Sequence, residues 1–261
     1  MISYIMNFKG ATIVEEPKVK SLLKAMNLLD MFTQPPYEYG VSDLARKFDY
    51  PKSTVHNIFS TFTLYGLLKY DEATQKYRLG NKAAELGNSF RKSNSMLAIM
   101  RPYLSQISAE LKETVFLATV SNNEVLYIDA SYSPYAAGGE IIGIRAPLYC
   151  TGIGKALLAC MDDETINRIL AKPMKPFTPD TKTTPEELWE EINFIRKNGY
   201  SVDNMEHEFG VKCVAVPLLN EDGQLKGAIS ISGPSLRFPE ATIKEYAEML
   251  KNVTQEVKHI L

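Results

Sequence analysis

Hydrophobic positions along the first third of the chain recur at helical spacing, then switch to strand-like runs. Residues 18–32, KVKSLLKAMNLLDMF, repeat Val19, Leu22, Leu23, Met26, Leu29 and Phe32, with Lys18, Lys20, Lys24 and Asn27 around the rest of the turn, which predicts an amphipathic helix. QPPYEYG stops it, and VSDLARKF starts a short second helix with Ser42 as N-cap and Leu44, Ala45 and Phe48 on one side. In YPKSTVHNIFSTFTLYG (50–66), Pro51 suits a first helical turn, Val55, Ile58, Phe59, Phe62 and Tyr65 form the core stripe, and Gly66 closes the helix. Ser53, Asn57 and Ser60 then point almost opposite to that stripe, with His56 and Thr61 flanking and Lys52 near the N-terminus. LLKY and KYRLG around the polar DEATQ read as a hairpin.

Beyond residue 80, NKAAELGNSFRKSNSMLAIMRPYLSQISAELKE is nearly all helix-forming, with a break expected near residues 93–95. Pro102 falls in the second part, so it either sits near that helix's start or kinks it. TVFLATV and EVLYIDAS flank SNN as one hairpin; KCVAVPLL and QLKGAISISG flank NEDG as another. Helices are expected at about 153–171, 184–197 and 239–260. The pattern predicts an α+β chain: a tail over 1–17, a helical domain with a hairpin over 18–80, a linker helix over 81–95, and over 96–261 an antiparallel sheet covered by helices on one or both faces.

Composition narrows the setting. An apolar share of 45% over 261 residues can fill two cores. Three scattered cysteines, Cys150, Cys160 and Cys213, make no disulfide framework and no zinc spacing, which fits a reducing cytosol. No export signal or membrane-length apolar run is read, so a cytoplasmic protein without a membrane partner is expected. Net charge is only −2, yet residues 18–95 hold 12 Lys/Arg against 7 Asp/Glu while residues 96–261 hold 16 against 22. Only the front third is therefore suited to phosphate.

Helix, short helix, turn, helix, hairpin is the order of a winged helix-turn-helix. A helix that reads a duplex needs short donors and acceptors for base edges, and cations and its own N-terminus for phosphates. Ser42, Lys52, Ser53, Thr54, His56, Asn57 and Ser60, with Lys76 and Arg78 on the hairpin, are the candidate DNA-contacting residues. A solvated polar face is the competing reading of the same residues.

LARKFDYPKSTVHNIFSTFTLYGLLKYDEATQKYRLG resembles the DNA-binding half of the IclR family of bacterial transcriptional regulators, although Asn57 stands where many members have Arg. PLYCTGIGKALLA (147–159), NGYSVDNMEHEFGVKCVAVPLL (198–219) and GAISISGP (227–234) resemble the blocks of that family's effector-binding domain, which is similar to the GAF type of small-molecule sensor. The resemblance implies a homodimer or dimer of dimers on double-stranded operator DNA, more often repressing than activating, controlled by a small organic acid or related metabolite. It implies effector contacts at Gly152, Ile153, Asp203, Cys213, Ser230 and Ser232. The roles expected are loop N–H groups and serine hydroxyls donating to a carboxylate, and Asp203 accepting from a ligand hydroxyl.

Catalytic readings fare worse. TGIGKA lacks the GxxxxGK[ST] spacing of a phosphate loop, and Ala156 occupies the hydroxyl position. Gly152 and Gly154 instead suggest a tight loop whose N–H groups can hold an anion, or an ordinary turn. Cys213 lies among alternating apolar residues in VKCVAV, and no third member completes a His207 and Cys213 pair. Neither a metal, a cofactor nor an enzymatic activity is expected. The alternative kept open is a stand-alone metabolite-sensing or catalytic GAF-like protein with a vestigial front domain.

Overall fold

The computed structural model describes residues 18–135 and 140–261; the expected tail over 1–17 lies outside them. The described residues divide into two compact units, 18–94 and 95–261.

The first unit runs α1 (Lys20–Asp30), β1 (Glu38–Tyr39), α2 (Val41–Phe48), α3 (Lys52–Leu64), β2 (Leu68–Asp71), β3 (Lys76–Leu79) and α4 (Asn81–Ser93). Its core joins Leu28, Phe32, Leu44, Val55, Phe59 and Leu68, with the Phe59 ring 5.5 Å from Phe32 and 4.8 Å from Tyr77. α1 differs from expectation. It buries Leu28, with Met31 and Phe32 just beyond its end, whereas Val19 (54%), Leu22 (54%) and Met26 (40%) are exposed. The helix is apolar on two sides, and packing selected the one carrying Ala25, Leu28 and Phe32, spaced i, i+3, i+7.

The hairpin is joined by a third strand that the sequence did not announce, giving the order β1-β3-β2; two residues are too short for an alternation to show. Ser42 does not cap α2. Gly40 holds the cap position, and its N–H donates to Asp43 Oδ2 (3.1 Å), so Ser42 sits one turn-step inside with its side chain exposed. Tyr65 leaves the predicted core stripe and is 64% exposed, because α3 ends there: Gly66 takes φ +78°, Leu67 N–H bonds to Phe62 O (2.8 Å) and Gly66 N–H to Thr63 O (3.0 Å). That paired bonding satisfies the last carbonyls and turns the chain into β2.

The second unit runs α5 (Ser95–Leu111), β4 (Thr114–Ser121), β5 (Glu124–Ser131), β6 (Arg145–Ala146), α6 (Gly152–Ala159), α7 (Asp163–Leu170), α8 (Pro185–Asn198), β7 (Ser201–Asn204), β8 (Val211–Leu219), β9 (Leu225–Pro234) and α9 (Glu240–Val257). Its antiparallel sheet has the order β6-β5-β4-β9-β8-β7. Alternation sorts the strands into two faces. Val115, Leu117, Val214, Val216, Ile229 and Ile231 pack on α5 and α9; Ala118, Ala215 and Ala228 pack on α6, α7 and α8. The sheet is therefore covered on both faces.

Pro102 lies inside α5 and not near its start. The single helix expected over 153–171 is two, because Asp162 ends the turn after α6 and caps α7, its Oδ1 accepting from Thr165 N–H (2.8 Å). The short strands β6 and β7 were also unannounced.

Candidate functional site

Two places bring the sequence candidates together. The first is the exposed side of α3. Val55, Phe59 and Phe62 hold the helix to its core, and Lys52, Ser53, His56, Asn57 and Ser60 are exposed, with Thr54 half-buried. Arg78 is exposed on β3. Lys76 is not a free cation: its ammonium lies 2.7 Å from Glu38 across the β1–β3 pair, an ion pair that raises its pKa.

The second place is a cavity of about 460 Å³ in the α6-covered side of the sheet. Strand register builds its polar wall. Asp203 on β7 lies opposite Cys213 on β8, Cys213 opposite Ser232 on β9, and Ser232 opposite Thr114 on β4. Four adjacent strands thus carry one polar row, and the next row on the same face holds Ser230 beside Phe116. Gly152, Ile153, Asp203, Cys213, Ser230 and Ser232 all line this cavity. The aromatic wall was missed by sequence: Phe116 meets Tyr127 and Tyr132 edge-on at 5.3 and 6.1 Å. The Tyr127 phenol, whose pKa burial pushes up, also faces the cavity. At another part of the wall Arg237 lies in a two-pronged ion pair with the buried Glu113, one arm at 2.6 Å.

α6 reaches the polar row because residue 152 has no side chain. A Cβ on Gly152 would stand 3.1 Å from Cys213 Cβ and 3.4 Å from Asp203 N. The free N–H groups expected at both glycines are reduced, since Thr151 caps α6 and its Oγ1 accepts from Gly154 N–H (3.0 Å). Gly154 accordingly does not line the cavity, whereas Gly152 and Ile153, the first two residues of α6, do.

Charge beneath the cavity is arranged around Lys155. Fully buried on α6, it donates to Glu206 (2.5 Å) and Glu191 (2.9 Å), and Lys182 also pairs with Glu191. Burial pulls the Lys155 pKa down, but the two carboxylates outweigh it and hold it raised. This lysine is committed to structure and cannot serve a phosphate loop. Glu206 Oε2 is buried with no hydrogen-bond partner among the described residues. Glu206 N–H donates to Asp203 Oδ1 (2.7 Å), and burial, opposed by that bond and by Lys155, raises Asp203 to about 7. Burial thus makes Asp203 hold its proton far more readily than an ordinary carboxyl, whereas the sequence suggested only an accepting group.

Cys213 donates to Ser232 Oγ (3.1 Å) and burial raises its pKa, so it is a weak polar group and not a thiolate nucleophile. His207 packs on Phe177 with ring centroids 5.1 Å apart, and burial lowers its pKa. Among the described residues no cluster of three or more His, Cys, Asp or Glu could hold a metal ion, and no helix is long and apolar enough to cross a membrane.

Both halves have known counterparts. The family model for the bacterial transcriptional regulator IclR C-terminal domain matches residues 90–259, and that for the IclR helix-turn-helix domain matches residues 21–72. The chain is 32% identical to the HTH-type transcriptional regulator KdgR of Escherichia coli over 251 residues, 95% of each chain. It is 30% identical to the transcriptional repressor IclR of the same organism, over 95% of this chain and 92% of that one. Among solved structures, an IclR homolog from Microbacterium hydrocarbonoxydans complexed with 4-hydroxybenzoate shares the fold at TM-score 0.77 and 24% identity, covering 92% of this chain and 98% of that one. These counterparts cover the helix-turn-helix, the sheet and the cavity in one continuous order, and the chain belongs to the IclR family of bacterial transcriptional regulators, with an N-terminal DNA-binding domain and a C-terminal effector-binding domain.

Proposed function

We propose that α3 enters the major groove of operator DNA and that a small carboxylate metabolite, bound in the sheet cavity, sets the affinity. The observation that carries this reading is the polar row Asp203, Cys213, Ser232, Thr114 crossing an otherwise largely apolar and aromatic cavity. Thr114 Oγ1 accepts from Ser133 N–H, Cys213 donates to Ser232 and Asp203 Oδ1 accepts from Glu206 N–H, so the row is partly satisfied within the protein, and its remaining hydrogen-bonding capacity around open space suits a polar ligand. A carboxylate would accept from the Gly152 and Ile153 N–H groups, from the Ser230 and Ser232 hydroxyls, and from protonated Asp203. The 4-hydroxybenzoate held by the Microbacterium relative is a ligand of this type.

On the DNA side, Lys52 and Arg78 supply phosphate contacts while Ser53, Thr54, His56, Asn57 and Ser60 face bases. Ser42, exposed at the start of α2, is a further proposed contact, and Lys76 contributes only by exchanging Glu38 for a phosphate. The exposed apolar side of α1 (Val19, Leu22, Met26) and Leu86 and Phe90 on α4 support a homodimer, whose two α3 helices would reach half-sites about 34 Å apart or a multiple of it. A dimer of dimers extends the same arrangement. Repression is the proposed sign, in keeping with the relative named a repressor, and the proposed compartment is the cytoplasm.

A gel-shift titration with the chain's own upstream region tests the reading. The expected result is a salt-sensitive shift altered by a carboxylate from a metabolite panel, with Ser230→Ala plus Ser232→Ala abolishing that response. No shift at any salt concentration would overturn it, and an unchanged response in the double variant would move the ligand elsewhere.

A further inference from the structure

The exposed face of α3 can be sorted by the hydrogen bonds each side chain is able to offer. At about 100° per residue, Asn57 lies opposite the buried Val55, Phe59 and Phe62, and Ser53, Ser60 and Thr61 fall within about 60° of it. Asn57 therefore occupies the centre of the outward arc. Thr61 is turned back onto the helix, its hydroxyl donating to the Asn57 backbone oxygen at 2.9 Å. Ser53 and Ser60, one turn before and about one turn after, are small enough to let the backbone come close to a surface.

Reading a base edge with two parallel hydrogen bonds requires a side chain with two suitably spaced polar atoms. The serines have one oxygen each. His56 stands about 100° away around the helix and presents its ring nitrogens singly. Lys52 stands about 140° away on the first residue, directed toward the edge of the core stripe. No arginine occurs in KSTVHNIFSTFTL. The Asn57 carboxamide alone on this arc carries an acceptor and a donor side by side, and among the described residues its side chain has no hydrogen-bond partner. That pair matches the adenine edge in the major groove, N6–H₂ and N7, and does not match guanine, which takes Arg or Lys.

We propose that Asn57 is the principal specificity-determining residue of α3 and reads one adenine in each half-site. This rests on the docking of α3 in the major groove and adds which base pair is read by which side chain.

Selection of duplexes from a random library by the full chain tests it, with Asn57→Ala and Asn57→Arg run in parallel and melting curves confirming that both variants fold. The wild type should enrich a two-fold motif with one invariant A·T pair per half-site. Asn57→Ala should lose the preference at that position alone and bind the wild-type consensus about ten-fold or more weakly; Asn57→Arg should move that position to G·C. If Asn57→Ala enriches the same base as strongly at every position, the assignment is overturned while the docking of α3 stands. If the wild type enriches no duplex at all, the docking fails and takes the assignment with it.

Discussion

The outward face of α3 and the cavity of the second unit carry similar chemistry, short hydroxyls and one amide or carboxyl, in opposite surroundings. On α3 these groups meet water and need no neighbour. In the cavity wall Asp203 and Ser230 are nearly inaccessible, and Asp203 has its charge state set by burial. Polar groups in water can be exchanged freely until a partner arrives, whereas enclosed ones are tied to the fold by desolvation. Substitutions in the two places therefore register differently: as stability in the cavity, as sequence selectivity on the helix.

The largest effect should come from Lys155. Its removal leaves Glu206, 2% exposed, and the partly buried Glu191 without their shared cation. Lys155→Met should destabilise the second unit by about 3–5 kcal/mol, seen as a lower urea midpoint, and adding Glu206→Leu should recover part of it. A Lys155→Met chain as stable as wild type would mean that the interior tolerates bare charge, and the contrast with α3 would lose its basis.

Asp203 should come next, with a pH signature. Its folded value of about 7 lies above the usual 3.8, so the folded state binds the proton more tightly. Asp203's own contribution to stability is then greatest at the acid end, falls by about 1.4 kcal/mol per unit as pH rises from about 4 to 7, and is level above, opposite in sign to the contribution of carboxylates held below their usual range such as Glu191. Asn cannot ionise. Relative to wild type, Asp203→Asn should gain about 2.5 kcal/mol between pH 5 and pH 8 in melts across that range. For a carboxylate ligand, wild-type affinity should rise as pH falls through 7, and the variant's should not.

Gly152→Ala is a smaller perturbation. The added Cβ meets Cys213 Cβ at 3.1 Å, so α6 or β8 must give by a few tenths of an ångström. A loss of about 1 kcal/mol is expected, with weaker ligand-induced thermal stabilisation because the first N–H groups of α6 shift off the polar row. An unchanged ligand response would separate the glycine's packing role from recognition.

The difference in surroundings also governs what could be read in the sequence. The face of α3 was legible because a helix states its own geometry: Val55, Phe59 and Phe62 fix where Ser53, Asn57 and Ser60 point. β4, β5, β8 and β9 were legible because eight or more residues show an alternation. The cavity was legible only through family resemblance, since the placement of Asp203 beside Cys213 and Ser232 depends on register among β7, β8 and β9, which nothing local specifies. Thr114 and Phe116 were missed for that reason, although their alternation on β4 puts them on one face. α1 misled because it is apolar on two sides, and only the packed unit shows which side Phe32 and Leu28 occupy.

The smallest stability effect, and the sharpest test of the contrast, belongs to Ser53→Ala combined with His56→Ala. Both side chains are exposed and neither is bonded to a described residue, so the double variant should unfold within about 0.5 kcal/mol of wild type. Its binding should change in kind. Nonspecific affinity, which the proposed docking assigns to Lys52, Arg78 and other cations through counterion release, should keep its magnitude and salt slope, while affinity for the selected operator falls well below wild type. Measuring both on one preparation by fluorescence anisotropy removes folding as an explanation. Equal losses on operator and random duplex would reduce Ser53 and His56 to phosphate contacts, and a loss of stability would mean that this face is already engaged by the protein, contrary to its solvated character.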